Sequence, residues 1–247
     1  MVNRLSLLCV GLAFIHLGSV AFADDEDPVA PEPNRDDSRF SEGAVEFGLR
    51  TGLALPLGRT GRAPGDTSNE TLSSNIQAAI PLWVDVGYRL NSQFYVGLAF
   101  QYGFGFVPQG QCPGGASCSV SDLHFATNFM YHLSPDQPAD LWVGLGVGYE
   151  WLELSASGFG VIAEESARGF EYANFQVGLD IATSSYFALG PFASCSLGRY
   201  DSVSIDDMDA DLTGKSLHAW LVFGMRGTLE FAQERGAGQR PKPSAQE

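Results

Sequence analysis

Six ionisable residues, Glu46, Arg50, Asp85, Glu150, Asp180 and Arg226, fall at positions of one parity within segments of alternating polarity. On successive β-strands such positions share a side, because side chains alternate across a strand. If that side is enclosed, these charges must pair, since an isolated buried charge costs on the order of several kcal/mol to desolvate. The expected chemistry is therefore a lumenal ion-pair network that locks the interior, with a narrow water path whose ion preference those residues tune as the alternative.

Other residues suggest other chemistry. Cys112 and Cys118 bracket Pro-Gly-Gly-Ala-Ser, close enough for a disulfide in an oxidising compartment. Its role would be to shape one loop tip, because the loop it closes is short. His124 and His218 lie near one end of their segments, where Glu150 and Ser216 could approach them and act on a lipid ester. They show no nucleophile, base and orienter at a recognisable spacing, so hydrogen-bonded filler is the preferred reading. The run from Asp206 to Asp211 has alternate carboxylates like the start of a calcium loop, but Leu212 stands where the turn glycine is needed and His218 where the bidentate glutamate is needed. It reads as a solvated acidic loop, and no metal site or cofactor is expected. Asn69-Glu70-Thr71 matches a glycosylation acceptor, a pattern given little meaning here.

The elements that would position these residues are eight stretches of alternating character, at 44–55, 78–90, 94–106, 122–133, 141–154, 172–183, 186–199 and 217–231. Each is slightly longer than the roughly 9–11 residues that a tilted strand needs to cross hydrocarbon. Links at 58–75, 107–121, 156–171 and 200–216 are long and rich in Gly, Ser and Asp, whereas those at 90–93, 134–140 and 184–185 are short. Strict alternation of long and short links gathers the long ones at one end of an up-and-down barrel.

One face of these stretches reads Val45, Phe47, Leu49; Leu82, Val84, Val86; Phe94, Val96, Leu98, Phe100; Phe125, Phe129; Val143, Leu145, Val147; Phe175, Val177; Phe223, Met225, Leu229, Phe231, without a charge. The opposite face carries the ionisable residues, diluted by glycines such as Gly97, Gly144, Gly178 and Gly224. A soluble barrel would turn the apolar face inward and stud the other with charge for water; this second face is too poor in charge for that. Instead, a narrow interior of small and ionic residues behind a lipid-facing apolar wall fits about eight strands. Tyr88, Phe94, Tyr131, Phe187 and Phe231 at one end, and Phe104, Phe106, Tyr149 and Trp151 at the other, fall where interface girdles belong.

Composition agrees. Hydrophobic content is 45% against 17% charged, yet after the N-terminal stretch no run approaches the ~20 apolar residues of a membrane helix. Arg4, the apolar run after it and Ala21-Phe22-Ala23 read as a signal peptide over 1–23. The acidic, proline-rich 24–42 and the glycine- and proline-rich 232–247 read as disordered periplasmic lead and tail around a barrel at 43–231. A net charge of −15 argues against nucleic acid as a partner.

The stretch from Pro81 to Arg89, then Phe94 to Gly105, resembles hairpins of the small outer-membrane β-barrel family that includes the membrane domain of outer-membrane protein A. The last strand, with Gly224, Leu229 and Phe231, resembles the insertion signal that the barrel assembly machinery reads, although residues 232–247 follow it here. That resemblance implies an eight-stranded antiparallel transmembrane barrel in the bacterial outer membrane, in contact with lipid and lipopolysaccharide. The function expected is structural or surface-interacting and non-enzymatic, with an unidentified loop ligand; a narrow porin is the alternative and an outer-leaflet lipid-modifying enzyme the third reading.

Overall fold

A computed structural model describes residues 43–61, 71–112, 114–158, 161–205, 208–212 and 214–231. The expected signal peptide, lead and tail, together with Asn69, Glu70, Asp206 and Asp207, lie outside them. The described chain forms β1 (Val45–Gly58), α1 (Leu72–Asn75), β2 (Ala78–Arg89), β3 (Phe94–Phe106), β4 (Ser117–His132), β5 (Ala139–Gly158), β6 (Val161–Ala182), β7 (Phe187–Ile205), β8 (Met208–Asp211) and β9 (Leu217–Phe231). Every pairing is antiparallel, and β1 to β7 each pair with the next. β9 joins β7 on one side and β1 on the other, from Val45↔Phe231 to Gly58↔His218, so eight strands close a barrel. β8 is a short ninth strand hydrogen-bonded to the outer end of β7.

The alternation behind these strands survives in three dimensions. In β1, Glu46 and Arg50 are buried while Phe47 and Leu49 face out. Leu49, Leu98 and Phe129 are 60%, 62% and 56% exposed, within a belt of large apolar side chains that runs around the whole barrel. Such a belt is far larger than the few hundred Å2 of apolar patch that a soluble monomer leaves in water, and hydrocarbon is its natural solvent. Aromatic pairs mark its rims: Phe94 with Tyr131 at 5.0 Å on the short-turn side, and Tyr149 with Trp151 and Phe170 at 4.5 and 5.0 Å on the other.

The long links differ from the loops expected of them. β5 and β6 are 20 and 22 residues long, so after roughly 9–11 residues of membrane crossing each has about ten left to project beyond the rim. Three of the four links are thus partly strand, and 156–171 is almost entirely so. The physical reason is that both faces of a projecting hairpin meet water, so nothing forces apolar alternation, and its Ser, Gly and Glu residues look like loop while the backbone ladder continues.

Two bulges shape this outer part. Opposite β5, the register of β6 shifts between Gly146 and Gly148, and opposite β7 between Glu171 and Ala173, which leaves Tyr172 extra. A bulge re-aims the side chains beyond it. Outward of Tyr172, Glu171 and Ala167 therefore point inward, although strand parity counted from Phe175 would put them in lipid. β7 gains a matching extra residue, Asp201, opposite Arg168 and Gly169, and buries Val203. With these side chains pack Leu72 and Ile76 at either end of α1, along with Val120, Leu152 and Leu212. A four-residue helix has little stability of its own; burial of Leu72 and Ile76 holds it over the outer mouth.

Candidate functional site

The lumen carries two polar layers. In the lower, periplasmic layer Arg226 bridges two strands, donating through Nη1 to Asp180 and through Nη2 to Glu46, each at 2.5 Å. Arg89 Nε donates to the other Glu46 oxygen at 2.7 Å. Arg50 donates to Asp85 at 2.6 Å and to Gln176 at 2.7 Å, and Gln176 donates to Asn128, which reaches back to Asp85. Three guanidiniums thus face three carboxylates, all fully buried. Aromatic side chains fill the remaining space: Trp142 lies 4.9 Å from Arg226 and 5.5 Å from Arg50, and Trp83 and Phe192 cover Arg50 at 5.1 and 5.6 Å. Trp142 also donates its indole N–H to Asp180. Beside this layer His132 Nδ1 pairs with Asp140 at 2.6 Å.

Of the six residues singled out from sequence, five meet here and Glu150 does not. Arg89, Gln176, Asn128 and Trp142 complete the set. An interior of small and ionic residues was expected, but Trp83, Tyr95, Trp142, Phe192, Tyr200 and Trp220 all point inward. Glycines make room for them. A Cβ on Gly97 would sit 2.2 Å from the Tyr95 hydroxyl, and one on Gly178 2.3 Å from the Trp142 ring. The signal was available, because inward parity at a tryptophan opposite a glycine is the pattern of an aromatic folded over a bare strand.

The upper layer is built from Asp122, His124, Glu150, Glu171, Tyr200, His218 and Trp220, all buried. Glu150 Oε1 accepts from the Tyr200 hydroxyl and from Trp220 Nε1 at 3.0 Å, and Oε2 accepts from His218 Nε2 at 2.8 Å. The His218 ring stacks on Tyr200, with centroids 4.1 Å apart. His124 Nε2 lies 2.7 Å from Asp122 Oδ2 and 3.9 Å from Glu150, while its Nδ1 lies 3.3 Å from Glu171. His218 thus turns to Glu150 rather than toward Ser216. Between the layers is a cavity of about 10 Å3, lined by Gln101, His124, Asn128, Glu171 and Gln176 among others, room for about one water.

The remaining candidates sit apart from the lumen. Cys112 and Cys118 form a disulfide across six residues, with Cα atoms 5.8 Å apart. Asp209 and Asp211 lie on β8 and are exposed. Leu229 and Phe231 face outward on β9, the latter edge-on to Phe47 at 5.8 Å, and Gly224 meets Gly52 across the closing seam. Above the rim, Asp201 lies 3.0 Å from both Lys215 Nζ and Arg199 Nη2. Partial burial pushes its carboxyl up, but the hydrogen bond from Lys215 and the charge of Arg199 outweigh that and hold it below the ordinary aspartate range.

No family model matches the chain, and no curated protein matches it. Solved structures do. The outer membrane protein OprG from Pseudomonas aeruginosa is 12% identical, with 78% of this chain and 99% of that one covered at a TM-score of 0.50. Neisserial surface protein A is also 12% identical, over 77% and 100%, at 0.47, and the outer membrane protease OmpT from Escherichia coli is 8% identical, over 76% and 97%, at 0.39. At these identities only the fold is shared. With its closed antiparallel staves and its belt of lipid-facing side chains, the chain has the fold of the small eight-stranded outer-membrane β-barrels, and its place is the bacterial outer membrane.

Proposed function

We propose that the protein is a sealed, non-enzymatic barrel whose work is done at its outer surface, by the rigid hairpins it holds above the membrane. The observation that carries this is the lower lumen layer, where three arginines, three carboxylates and three aromatic rings fill the cross-section. The apolar cluster of Leu72, Ile76, Val120, Leu152, Val203 and Leu212 over the outer mouth supports the same reading. A conducting path needs a continuous file of water, and both ends of this lumen are packed against one.

The outer hairpins present Glu153, Glu164, Glu165, Asp201, Asp209 and Asp211. This acidic surface suits a cationic or neutral ligand and opposes nucleic acid. Lipid and lipopolysaccharide are the partners of the belt, and the seam strand with Gly224, Leu229 and Phe231 is the part offered to the assembly machinery during insertion. Planar-bilayer recording on the folded protein tests the proposal: a silent membrane is expected, and steady single-channel currents at neutral pH would instead make it a narrow porin.

A further inference from the structure

The two lumen layers differ in charge balance. The lower matches Arg50, Arg89 and Arg226 against Glu46, Asp85 and Asp180. The upper holds three buried carboxylates, Asp122, Glu150 and Glu171, against two histidines and no arginine or lysine. Even with both imidazoles protonated, one negative charge has no partner. Buried charge of that kind is costly unless a proton or a cation neutralises it. Asp122 Oδ1 points to the same need: it is fully buried on a residue only 3% exposed, and among the described residues nothing donates to it.

We propose that Asp122, His124 and Glu150 hold a divalent transition-metal ion of the zinc type. One ligand atom from each, all buried, lies within 4.8 Å of the others. A set of imidazole nitrogen and carboxylate oxygen suits borderline ions, which bind such atoms at about 2.0–2.2 Å. The surroundings are those of a metal site rather than of a chance cluster. Glu171 Oε2 stands 3.3 Å from His124 Nδ1, without the alignment of a hydrogen bond, within reach of the carboxylate–imidazole pairing that would fix the ring and leave the far nitrogen for metal. Glu150 is oriented by Tyr200, Trp220 and His218, and Asp122 by Gln101 at 3.3 Å. Glu171 reaches its place only through the bulge at Tyr172. This inference is independent of whether the lumen conducts.

The test uses the full folded barrel in detergent, stripped with chelator and titrated with Zn2+ by calorimetry and with Co2+ by visible absorption. One equivalent should bind, with tetrahedral-type Co2+ bands. Asp122→Asn and Glu150→Gln should abolish binding. Glu171→Gln should weaken it by about 10–100-fold, and Asp201→Asn should leave it unchanged. Heat-modifiable migration verifies that each variant is folded; should the two ligand variants fail to fold, Glu171→Gln decides alone. A folded wild-type barrel that takes up neither ion overturns the proposal. So does binding that Glu171→Gln leaves intact, or that Asp209→Asn and Asp211→Asn remove.

Discussion

The lower and upper halves of the lumen solve the problem of buried charge differently. Below, permanently charged guanidiniums meet carboxylates one for one and aromatic faces cover what is left, so the layer is balanced in charge as built, although Arg50 Nη2 and Arg226 Nε find no acceptor among the described residues. Above, histidines stand where arginines could have been, and the carboxylates outnumber them. A self-sufficient layer serves stability, whereas an unbalanced one implies an exchangeable partner. Buried polar networks are costly when half satisfied, so the imbalance above is a feature that needs a reason.

The largest way to break this contrast is to cut the lower layer. Arg226→Leu leaves Glu46 and Asp180 facing each other without their shared donor and should cost about 3–5 kcal/mol, read as a fall in the urea midpoint of the folded barrel. Next comes crowding: Gly97→Ala drives a methyl into Tyr95 and against the Val86 carbonyl and should cost about 1–3 kcal/mol, of which a Tyr95→Leu background should recover the part due to the ring. The sharpest comparison pairs two neutralisations in chelator-treated protein. Asp180→Asn should destabilise, whereas Asp122→Asn should be neutral or stabilising within about 1 kcal/mol, because it removes the one negative charge by which the upper carboxylates outnumber the histidines. Equal losses in both would erase the distinction between layers. The smallest effect lies outside the lumen. The lowered Asp201 carboxyl contributes stability above its unfolded value that is lost as pH falls through its lower folded value. Asp201→Asn should therefore cost about 0.2–1 kcal/mol near neutral pH, less in high salt and nothing in strong acid.

Much of this was legible in sequence, for a physical reason. Lipid enforces parity, so Val45, Phe47 and Leu49 against Glu46 and Arg50 marked strand, face and barrel at once. Where lipid ends, so does the enforcement, and residues 156–171 were read as loop although they continue β5 and β6. The lower layer was partly visible, since Arg50, Asp85, Asp180 and Arg226 keep strand parity. The upper one was visible in part: Glu150 beside His124 and His218 follows from their shared end of the barrel, although Glu150 does not join the arginine network, and Glu171 was unreachable because parity assigns it to lipid until a bulge is known. Trp142 and Tyr95 were missed for a different reason, since an inward aromatic is recognised only when the glycine beside it, across the ladder for Trp142 and along the same strand for Tyr95, is seen as its seat.

The extra residue at Tyr172 also makes β6 uneven in its tolerance of length. Deleting Tyr172 itself would restore an unbroken pleat, because Glu171 and Ala173 already pair with the consecutive Gly198 and Leu197, and it would keep Glu171 inward and Phe170 outward. A codon lost elsewhere in the membrane-crossing part of this strand would instead turn every side chain beyond it to the other face, so tolerance of deletions along β6 should peak at that one position.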